Sequence, residues 1–302
     1  MTIVANIQVG NEVELIDQHI AYHLALGIDG FVIADMASVD GTTERLNRYR
    51  GDKRFVIRTY DMDSLIDENG PRTAEIGRWM LEATRDHFAP DWVVRMDADE
   101  FLYSASTLDS FLSTLDAQAT LQIERRNAVF EADQTIPPLP CTPAALSAVS
   151  VVAQPVKTSG PKYGMDDSLP LILTEVGPKV LARPGQISAY TTGGHAVLDG
   201  MGARQVGPVA DGLLLVHFWF TTSERFLRKA RFTAYAEELL SRRPQAVRGW
   251  QWSRWAGIAQ GDAATSEAAI LQEYHRQFPD AATLDALRCA GTVRRVADYW
   301  TR

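Results

Sequence analysis

The stretch DWVVRMDADEF, residues 91 to 101, joins an apolar run to a cluster of acidic residues. The run WVVRM is short and rich in valine and tryptophan, which is typical of a strand in a buried sheet. Asp97, Asp99 and Glu100 follow it directly. Carboxylates held this close together repel one another, which raises their pKa unless positive charge lies beside them. The stretch therefore predicts a strand that ends at a charged site.

The residues before this stretch alternate between strand and helix patterns. Strand patterns lie at 3–9, 30–34 and 54–60, and helical patterns follow Asn11, lie in TTERLNRYR and run from Arg72 to Phe88. Asn11 is predicted to cap the first helix with Glu14 as its capping-box partner, and Gly27 is predicted to end it. Strands that alternate with helices build a mostly parallel sheet with helices on both faces. We therefore predict an α/β fold.

The acidic residues gather at one predicted edge of this sheet. Asp35 and Asp40 follow the second strand, while Asp97 and Asp99 follow the fourth. Parallel sheets bind ligands beyond the carboxyl ends of their strands, so these carboxylates are expected on one rim. Such oxygen ligands favour Mg²⁺ or Mn²⁺, which often bind with substrate phosphates. The rim predicts a site for a cation and a nucleotide, and the competing interpretation is that the acids only form turns and helix caps.

Composition narrows the classes of function. Lys and Arg number 30 against 38 Asp and Glu, a formal net charge of −8, which argues against a general nucleic-acid or anionic-membrane surface. The N-terminal sequence lacks the order of a signal peptide, and the longest apolar run, LLLVHFWF at 213–220, is too short to span a bilayer. Cys141 and Cys289 lack metal-ligand spacing. We expect a cytoplasmic protein that binds no nucleic acid, has no transmembrane segment and contacts a membrane only peripherally, if at all.

Several short motifs occur in order along the chain. They are Asn11–Glu12, Tyr22–His23, Leu26–Gly27, Ser38–Thr42 and Asp97–Phe101. Their order and spacing resemble a bacterial subgroup of family 2 glycosyltransferases with N-E, Y-H, L-G, S-x-D-G-T and D-x-D-E-F motifs. KVLARP (179–184), GGHAV (193–197) and VHFWFTTSERFLRKAR (216–231) look like later segments of the subgroup, so the likeness touches most of residues 3–231. It implies a GT-A fold, that of nucleotide-diphospho-sugar transferases, with a nucleotide-diphosphate sugar donor and a saccharide or other hydroxyl acceptor.

The same resemblance assigns roles around the D-x-D motif. Asp99 would bind Mn²⁺ or Mg²⁺ directly, and Asp97 would contact the metal or the donor ribose. Asp35 and Asp40 would face the nucleoside, and Glu100 would contact the donor sugar or support the site. The other residues assigned to the donor site are Asn11, Glu12, Ser38, Arg72 and Arg78. For the two arginines, a solvated position on the helix is the competing interpretation.

Late histidines and a catalytic base complete the predicted site. His195 and His217 are metal candidates because GT-A enzymes often bring a late histidine to the metal, and the competing interpretation is a buried core histidine. Family 2 transfer inverts the anomeric carbon, and a carboxylate deprotonates the acceptor hydroxyl. The candidate bases are Asp166, Asp167 and Glu124. Residues 130–170 depart from the subgroup as a long irregular insertion, which leaves the base open.

Residues from Thr221 onward predict helices and no further strand. We predict a catalytic domain at 1–220 and a helical extension at 221–302 packed on it, with Thr221 and Glu224 as a capping box. The tryptophans of RGWQWSRWAG (248–257) either stack on an acceptor sugar or, as we favour, pack the extension against the domain. The first helix carries basic residues that meet a phosphate or form a solvated face. They are Arg225, Arg228, Lys229 and Arg231.

Two other functions share some of these features. A nucleotidyltransferase also pairs an α/β sheet with acids and Mg²⁺, but NIQVGNEVE lacks the glycine-rich, basic loop typical of that class after its first strand. A non-catalytic GT-A relative that binds a sugar or a protein would keep the fold without a base. The leading prediction is a metal-dependent, inverting glycosyltransferase of bacterial polysaccharide or glycoconjugate synthesis.

Overall fold

The described residues form a mixed α/β fold in which helices flank a large, mainly parallel sheet. A computed structural model describes residues 1–67, 70–115, 120–132, 139, 142–157, 169–241, 250–259 and 262–301. The predicted bases Asp166 and Asp167 lie outside these residues, so their role stays a prediction. The architecture confirms the α/β fold class that the alternation of strands and helices predicts.

The helices and strands follow the predicted alternation as far as the D-x-D motif and a mixed order after it. The strands are β1 (Ile3–Val9), β2 (Gly30–Met36), β3 (Phe55–Tyr60), β4 (Ile66–Asp67), β5 (Gly70–Pro71), β6 (Trp92–Asp97), β7 (Glu100–Ser104), β8 (Thr120–Asn127), β9 (Ser150–Val152), β10 (Lys179–Ala182), β11 (Ala189–Tyr190), β12 (Val197–Leu198), β13 (Arg204–Gln205), β14 (Val209–His217) and β15 (Val293–Arg295). The helices are α1 (Ile16–Leu26), α2 (Thr42–Asn47), α3 (Met62–Leu65), α4 (Thr73–Phe88), α5 (Leu108–Ser113), α6 (Pro143–Ser147), α7 (Ser223–Ser241), α8 (Trp250–Ile258), α9 (Ala263–His275) and α10 (Ala281–Cys289).

The main sheet is built around the strands of the first hundred residues. Within the described part of the chain its order is β3-β2-β1-β6-β10-β8-β14-β7. β3, β2, β1 and β6 run parallel, and β8 runs parallel to β14. Because β10 is antiparallel to both β6 and β8, β8 and β14 point in the same direction as β6. The carboxyl ends of all these parallel strands therefore lie along one rim.

Alternate residues of the central strands serve opposite faces of the sheet. On one face Ile7 and Ile33 pack with Ile20 of α1, and on the other Val32 packs with Met80 of α4. Both faces are thus covered, so a strand in this position needs apolar residues on both sides. This requirement explains the nearly continuous apolar runs of β1 and β2.

The predicted cap of α1 at Asn11 is wrong. The helix begins at Ile16 after a turn, and Asn11 adopts a φ of 57°. The Asn11 Oδ1 accepts a hydrogen bond of 2.8 Å from the Val39 N–H, so this side chain holds the loop after β2. Gly27 ends the helix as predicted, with a φ of 106° that favours glycine.

α7 and the helices that follow it share a hydrophobic core with earlier segments of the chain. Phe226 and Trp255 pack with Trp219 and Ile172. The burial of Trp255 agrees with the packing interpretation of the tryptophan-rich stretch, of which the other two tryptophan side chains lie outside the described residues. The predicted cap of α7 at Thr221 is wrong by one residue, because the Thr222 hydroxyl accepts a hydrogen bond from the Arg225 N–H. The domain boundary at residue 220 stays a prediction.

Two further expectations about the second half of the chain need correction. β15 pairs antiparallel with β9, so a strand does follow Thr221. The segment 142–157 contains α6 and β9, so the predicted insertion is not irregular throughout. In the part of the chain that the structure describes, no helix is long and apolar enough to cross a membrane.

Candidate functional site

The rim of the sheet collects polar residues from several strands. The strand register places Asp35 beside Val9 and Asp97 beside Gln8, so both acids lie at the carboxyl ends of neighbouring strands, as predicted. β8 and β14 end at the same rim with Asn127 and His217. The site therefore draws on both the first and the second half of the chain.

Three residues stand in one row across β8, β14 and β7. His217 is paired in register with Asn127 on one side and with Glu100 on the other. Residues paired in this way project from the same face of a sheet. The ring Nδ1 of His217 hydrogen bonds to the Asn127 Oδ1 at 2.8 Å. The row thus places a histidine beside the D-x-D-E turn.

Asp99 is buried and contacts basic side chains of α7. Its Oδ2 accepts from the Arg225 Nη2 at 2.7 Å and from the Lys229 Nζ at 2.9 Å, while its Oδ1 lies 3.5 Å from the His217 Nε2. Burial by itself would raise the pKa of Asp99, but the cations Lys229 and Arg225 outweigh it and hold the pKa well below its usual range. Asp99 is therefore an ionised carboxylate with one oxygen committed to α7.

Arg225 of α7 joins the N-E motif to the D-x-D-E turn, because it contacts both Glu12 and Asp99. Its Nε and Nη2 donate to the two carboxylate oxygens of Glu12 at 2.6 and 2.8 Å, and its Nη1 donates to the carbonyls of Phe218 and Trp219. A fork of this kind is matched to a carboxylate. Glu12, assigned to the donor site by resemblance, positions Arg225 and through it Asp99.

Asp97 lies in a different environment, at the open side of the rim. Its side chain is 36% exposed and accepts from the Lys179 Nζ at 2.6 Å, with Arg95 at 3.5 Å and Arg125 at 3.8 Å. Burial would raise the pKa of Asp97, whereas Lys179 and Arg95 lower it further than burial raises it. Asp97 is the acid of the motif that a ligand can reach.

Glu100 fixes the turn between the two aspartates. It is fully buried, and its Oε2 accepts from the Asp97 N–H at 2.8 Å. Its Oε1 pairs with Arg125 and lies 3.7 Å from the Lys179 Nζ. These contacts hold the turn between Asp97 and Asp99, and a contact of Glu100 with the donor sugar stays a prediction.

The positive charge that the acidic cluster requires comes from the protein itself. The acidic motif by itself predicts a metal as the source of this charge, but basic side chains of β6, β8, β10 and α7 surround the acids. These cations are Arg95, Arg125, Lys179, Arg225 and Lys229. Repulsion among the acids is therefore not a reason to expect a metal. The reason has to come from particular ligand atoms.

The Y-H motif holds the strand that follows the D-x-D turn. The Tyr22 hydroxyl donates to the Leu102 carbonyl at 2.8 Å, and the His23 Nε2 accepts from the Leu102 N–H at 3.1 Å. One turn earlier, the His19 Nε2 donates to the Glu100 carbonyl at 2.9 Å. β7 is an edge strand, so α1 pairs backbone groups that would otherwise lack partners. Burial lowers the pKa of His19 to about 4 and that of His23 well below its usual value.

The S-x-D-G-T loop is tied together by its own side chains. The Asp35 carboxylate accepts from the Ser38 N–H and the Thr43 hydroxyl, and the Asp40 Oδ2 accepts from the Val13 N–H. The Ser38 hydroxyl accepts from the Asn11 N–H at 3.0 Å. These contacts join the loop after β2 to the turn before α1. Binding of a nucleoside by these residues stays a prediction.

Other predicted residues lie away from the cluster. Glu124 projects from the opposite face of β8 to Arg125, because successive strand residues alternate, and it hydrogen bonds to Tyr299 at 2.7 Å. The arrangement does not favour Glu124 as the base. Arg78 is exposed on α4, and Arg72 lies beside Glu75 at 3.4 Å. Both positions agree with the solvated interpretation.

His195 and the two glycines before it form a turn over the Asp97 side. The His195 Nδ1 donates to the Pro178 carbonyl at 2.7 Å, and burial lowers the pKa of the ring. The Gly193 carbonyl accepts from the Lys179 Nζ at 3.0 Å. A Cβ at Gly194 would lie 2.5 Å from the Arg95 Cγ, and its φ is 69°, so this position requires glycine.

Arg95 and Lys179 were not placed in the site from the sequence, although their position in apolar strands indicates a buried ion pair. Each stands in an otherwise apolar strand, in WVVRM and KVLA, and a basic residue buried there needs a carboxylate partner. Arg225 carried no such signal, because it lies among other basic residues of a partly exposed helix.

One set of ligand atoms can be grouped for a metal ion. Among the described residues, the His, Cys, Asp and Glu side chains that place three ligand atoms within 4.8 Å of one another are Asp99, Glu100 and His217. The grouping contains two predicted metal ligands and leaves Asp97 and His195 outside. Carboxylate oxygens with one imidazole nitrogen form a donor set suited to Mn²⁺.

Comparisons with known proteins give distant structural likeness only. No protein-family model and no curated protein matches the chain. Among solved structures, it is similar to S. aureus TarS 1-349, at 12% identity and a TM-score of 0.39, over 96% of this chain and 92% of that chain. The same protein in complex with UDP-GlcNAc gives 11% identity and a TM-score of 0.40 over the same shares. Likeness at this level carries no argument about activity.

Proposed function

We propose that this protein is an inverting glycosyltransferase of GT-A type, which moves a sugar from a nucleotide-diphosphate sugar to a hydroxyl acceptor. The observation that carries the proposal is the arrangement of the D-x-D-E turn at the carboxyl rim of a parallel sheet. There Asp97 is open to a ligand, and Asp99 faces an imidazole nitrogen at 3.5 Å. Ligands of such sheets bind at this rim. The resemblance of the motifs to family 2 enzymes supports the same reaction.

The proposal includes a divalent cation, Mn²⁺ or Mg²⁺. The residues fit one, because the Asp99 Oδ1 and the His217 Nε2 lie 3.5 Å apart. Ligand-to-metal bonds of about 2.1 Å allow both atoms to reach the same ion. Asp99, His217 and Glu100 would hold it. When bound, the cation would stabilise negative charge on the departing nucleoside diphosphate.

The chain's own residues would share the remaining work. Arg225 keeps Asp99 ionised and in place, and Lys229, whose side chain is 21% exposed, brings a second positive charge to the same oxygen of Asp99. This charge would attract the donor's phosphates. Asp97 would contact the donor ribose. A carboxylate would remove the proton of the acceptor hydroxyl, with Asp166 or Asp167 proposed for that step.

The first experiment is thermal unfolding in the presence of nucleoside diphosphates and nucleotide sugars, each with and without Mn²⁺. A bound donor stabilises the native state, so one nucleotide should raise the melting temperature only when Mn²⁺ is present. Asp99→Asn should lose the Mn²⁺-dependent part, whereas Asp109→Asn, an exposed acid outside the site, should keep it. A nucleotide shift that does not depend on Mn²⁺ would remove the cation from the proposal.

The products would separate the proposed reaction from the alternatives. Release of a nucleoside diphosphate together with a glycoside of opposite anomeric configuration supports an inverting transferase. Release of pyrophosphate would instead identify a nucleotidyltransferase. Nucleotide binding with no turnover of any donor would leave a binding module. The proposed setting is bacterial polysaccharide or glycoconjugate synthesis in the cytoplasm.

A further inference from the structure

The orientation of one buried amide can be read from its neighbours. Asn127 is 1% exposed, and its Nδ2 donates to the carbonyls of Ile172 and Thr174 at 2.9 and 3.3 Å. Carbonyl oxygens only accept, so the NH₂ group must face them. The Asn127 Oδ1 is thereby directed at His217.

The amide determines the protonation pattern of the histidine. The Asn127 Oδ1 only accepts, so the His217 Nδ1, 2.8 Å away, carries the hydrogen. A neutral ring then has its lone pair on Nε2. Nε2 faces the Asp99 Oδ1 at 3.5 Å, and both atoms are acceptors. The pair presents two electron-rich atoms to each other with no hydrogen between them.

The support of Asn127 comes from a distant part of the chain. Ile172 and Thr174 lie in a short turn at 171–174, where the Thr174 hydroxyl donates to the Leu171 carbonyl at 2.7 Å. The Ile172 N–H donates to the Gln277 Oε1 at 3.1 Å. The turn is therefore held to the segment between α9 and α10. A rigid turn allows the amide to keep a single orientation.

We infer that Asn127 is a positioning residue that selects the Nδ1–H tautomer of His217 and so keeps the Nε2 lone pair free for a cation at Asp99. Partners of this kind fix the tautomer and the ring orientation of metal-binding histidines. The choice matters because the other tautomer would place a hydrogen on Nε2, where it would bond to Asp99 and exclude the ion. The inference rests on the proposed function only for the identity of what binds the lone pair.

The tautomer can be measured in the wild-type protein without any metal or substrate in the sample. The protein has six histidines. Long-range ¹H–¹⁵N spectra of protein labelled with ¹⁵N-histidine distinguish protonated from unprotonated ring nitrogens, and His217→Gln identifies the signals. At pH 8 we expect a protonated Nδ1 and an unprotonated Nε2 for His217. A protonated Nε2, alone or with Nδ1, would overturn the inference.

A variant tests the consequence for cation binding. Asn127→Leu keeps the size of the side chain but removes both hydrogen-bonding groups, so Mn²⁺ alone should bind about 10- to 100-fold more weakly, measured by electron paramagnetic resonance of free Mn²⁺. Asn6→Leu, which removes a buried asparagine that bonds to Tyr190 and Thr84, is the matched control and should leave Mn²⁺ affinity unchanged. Equal affinity in Asn127→Leu and wild type would contradict the positioning role.

The two experiments separate this inference from the proposed function. The predicted tautomer with no Mn²⁺ binding in wild type would support the role of Asn127 and remove the metal from the proposed function. Mn²⁺ binding to wild type together with a protonated Nε2 would support the metal in the proposed function and would overturn the role of Asn127. If Asn127→Leu does not fold, the tautomer of the wild-type protein still decides the inference.

Discussion

Asp97 and Asp99 stand two residues apart in one motif, yet they belong to different parts of the molecule. Asp97 ends β6, is 36% exposed and pairs with basic residues of the sheet, chiefly Lys179. Asp99 lies in the turn that follows, is 4% exposed and pairs with Arg225 and Lys229 of α7. The comparison shows that one short motif can connect the sheet with α7, because each acid pairs with cations of a different element.

The difference in exposure determines how much stability is lost when either acid loses a paired cation. A carboxylate near solvent keeps water as an alternative partner, so losing one cation costs it little. A buried carboxylate has no such alternative, and removing its cation leaves an unpaired charge inside the protein. Disruption on the Asp99 side should therefore cost more stability than the same disruption on the Asp97 side.

The largest effect is expected for Arg225→Met. The change leaves Glu12 and Asp99 buried without their main cation, so the free energy of unfolding should fall by about 3–5 kcal/mol. Urea denaturation measures it. Arg231→Met on the same helix breaks an exposed pair with Glu267 and should cost less than about 1 kcal/mol. Equal losses in the two variants would show that the buried cluster is not what holds α7 to the site.

Acid should lower the free energy of unfolding in the pH range where the buried His19 takes up a proton. The folded pKa of His19 is about 4 against 6.5 for the free side chain, so the unfolded chain binds more protons. The stabilisation is complete above pH 6.5 and is lost as the pH falls toward 4, a change of about 3 kcal/mol for this residue. His23 and His217 act in the same direction, and the depressed pKa values of Asp97 and Asp99 extend the loss to lower pH.

Two variants isolate the part that belongs to His19. Its ring donates to the Glu100 carbonyl, and Gln at this position retains a donor but does not titrate. His19→Gln should lose less stability than wild type between pH 7 and pH 4.5, as measured by urea denaturation at each pH. His87→Gln, at an exposed histidine, should show the wild-type slope. Identical slopes for all three proteins would contradict a buried neutral His19.

A smaller effect is expected for Lys179→Met on the Asp97 side. Arg95 and Arg125 remain beside Asp97, and water reaches it, so the loss should be about 2 kcal/mol. The same urea experiment gives the value, and the comparison with Arg225→Met is direct because both variants replace a buried cation by an apolar chain. A loss larger than that of Arg225→Met would reverse the ranking of the two sides.

The smallest effect is expected for Gly194→Ala. The added methyl group would press on the Arg95 side chain, and the φ of 69° is unfavourable for alanine, so stability should fall by about 1–2 kcal/mol. Gly200→Ala places its methyl group in open space and is the control. Thermal unfolding of both variants would measure the difference. No difference between them would mean that the turn moves freely over Arg95.

The strands and helices of the first hundred residues could be predicted because their signals are local. Burial on both faces requires apolar runs in β1, β2 and β6, and Gly27 ends α1 through its own backbone conformation. The place of Asp35 and Asp97 on one rim followed from parallel strand direction alone. The cap at Asn11 could not be predicted correctly, because its side chain bonds to Val39, in a loop brought near only by the fold.

Local sequence patterns are enough to predict the α/β alternation, the position of the acidic turn at the end of a strand and the basic character of α7. Which buried charges pair with each other depends on the tertiary structure. Arg225 lies 126 residues from Asp99, and Asn127 lies 90 residues from His217. Local patterns follow from burial and backbone geometry within a few residues, whereas the pairing of buried charges depends on which distant strand and helix ends meet at one rim.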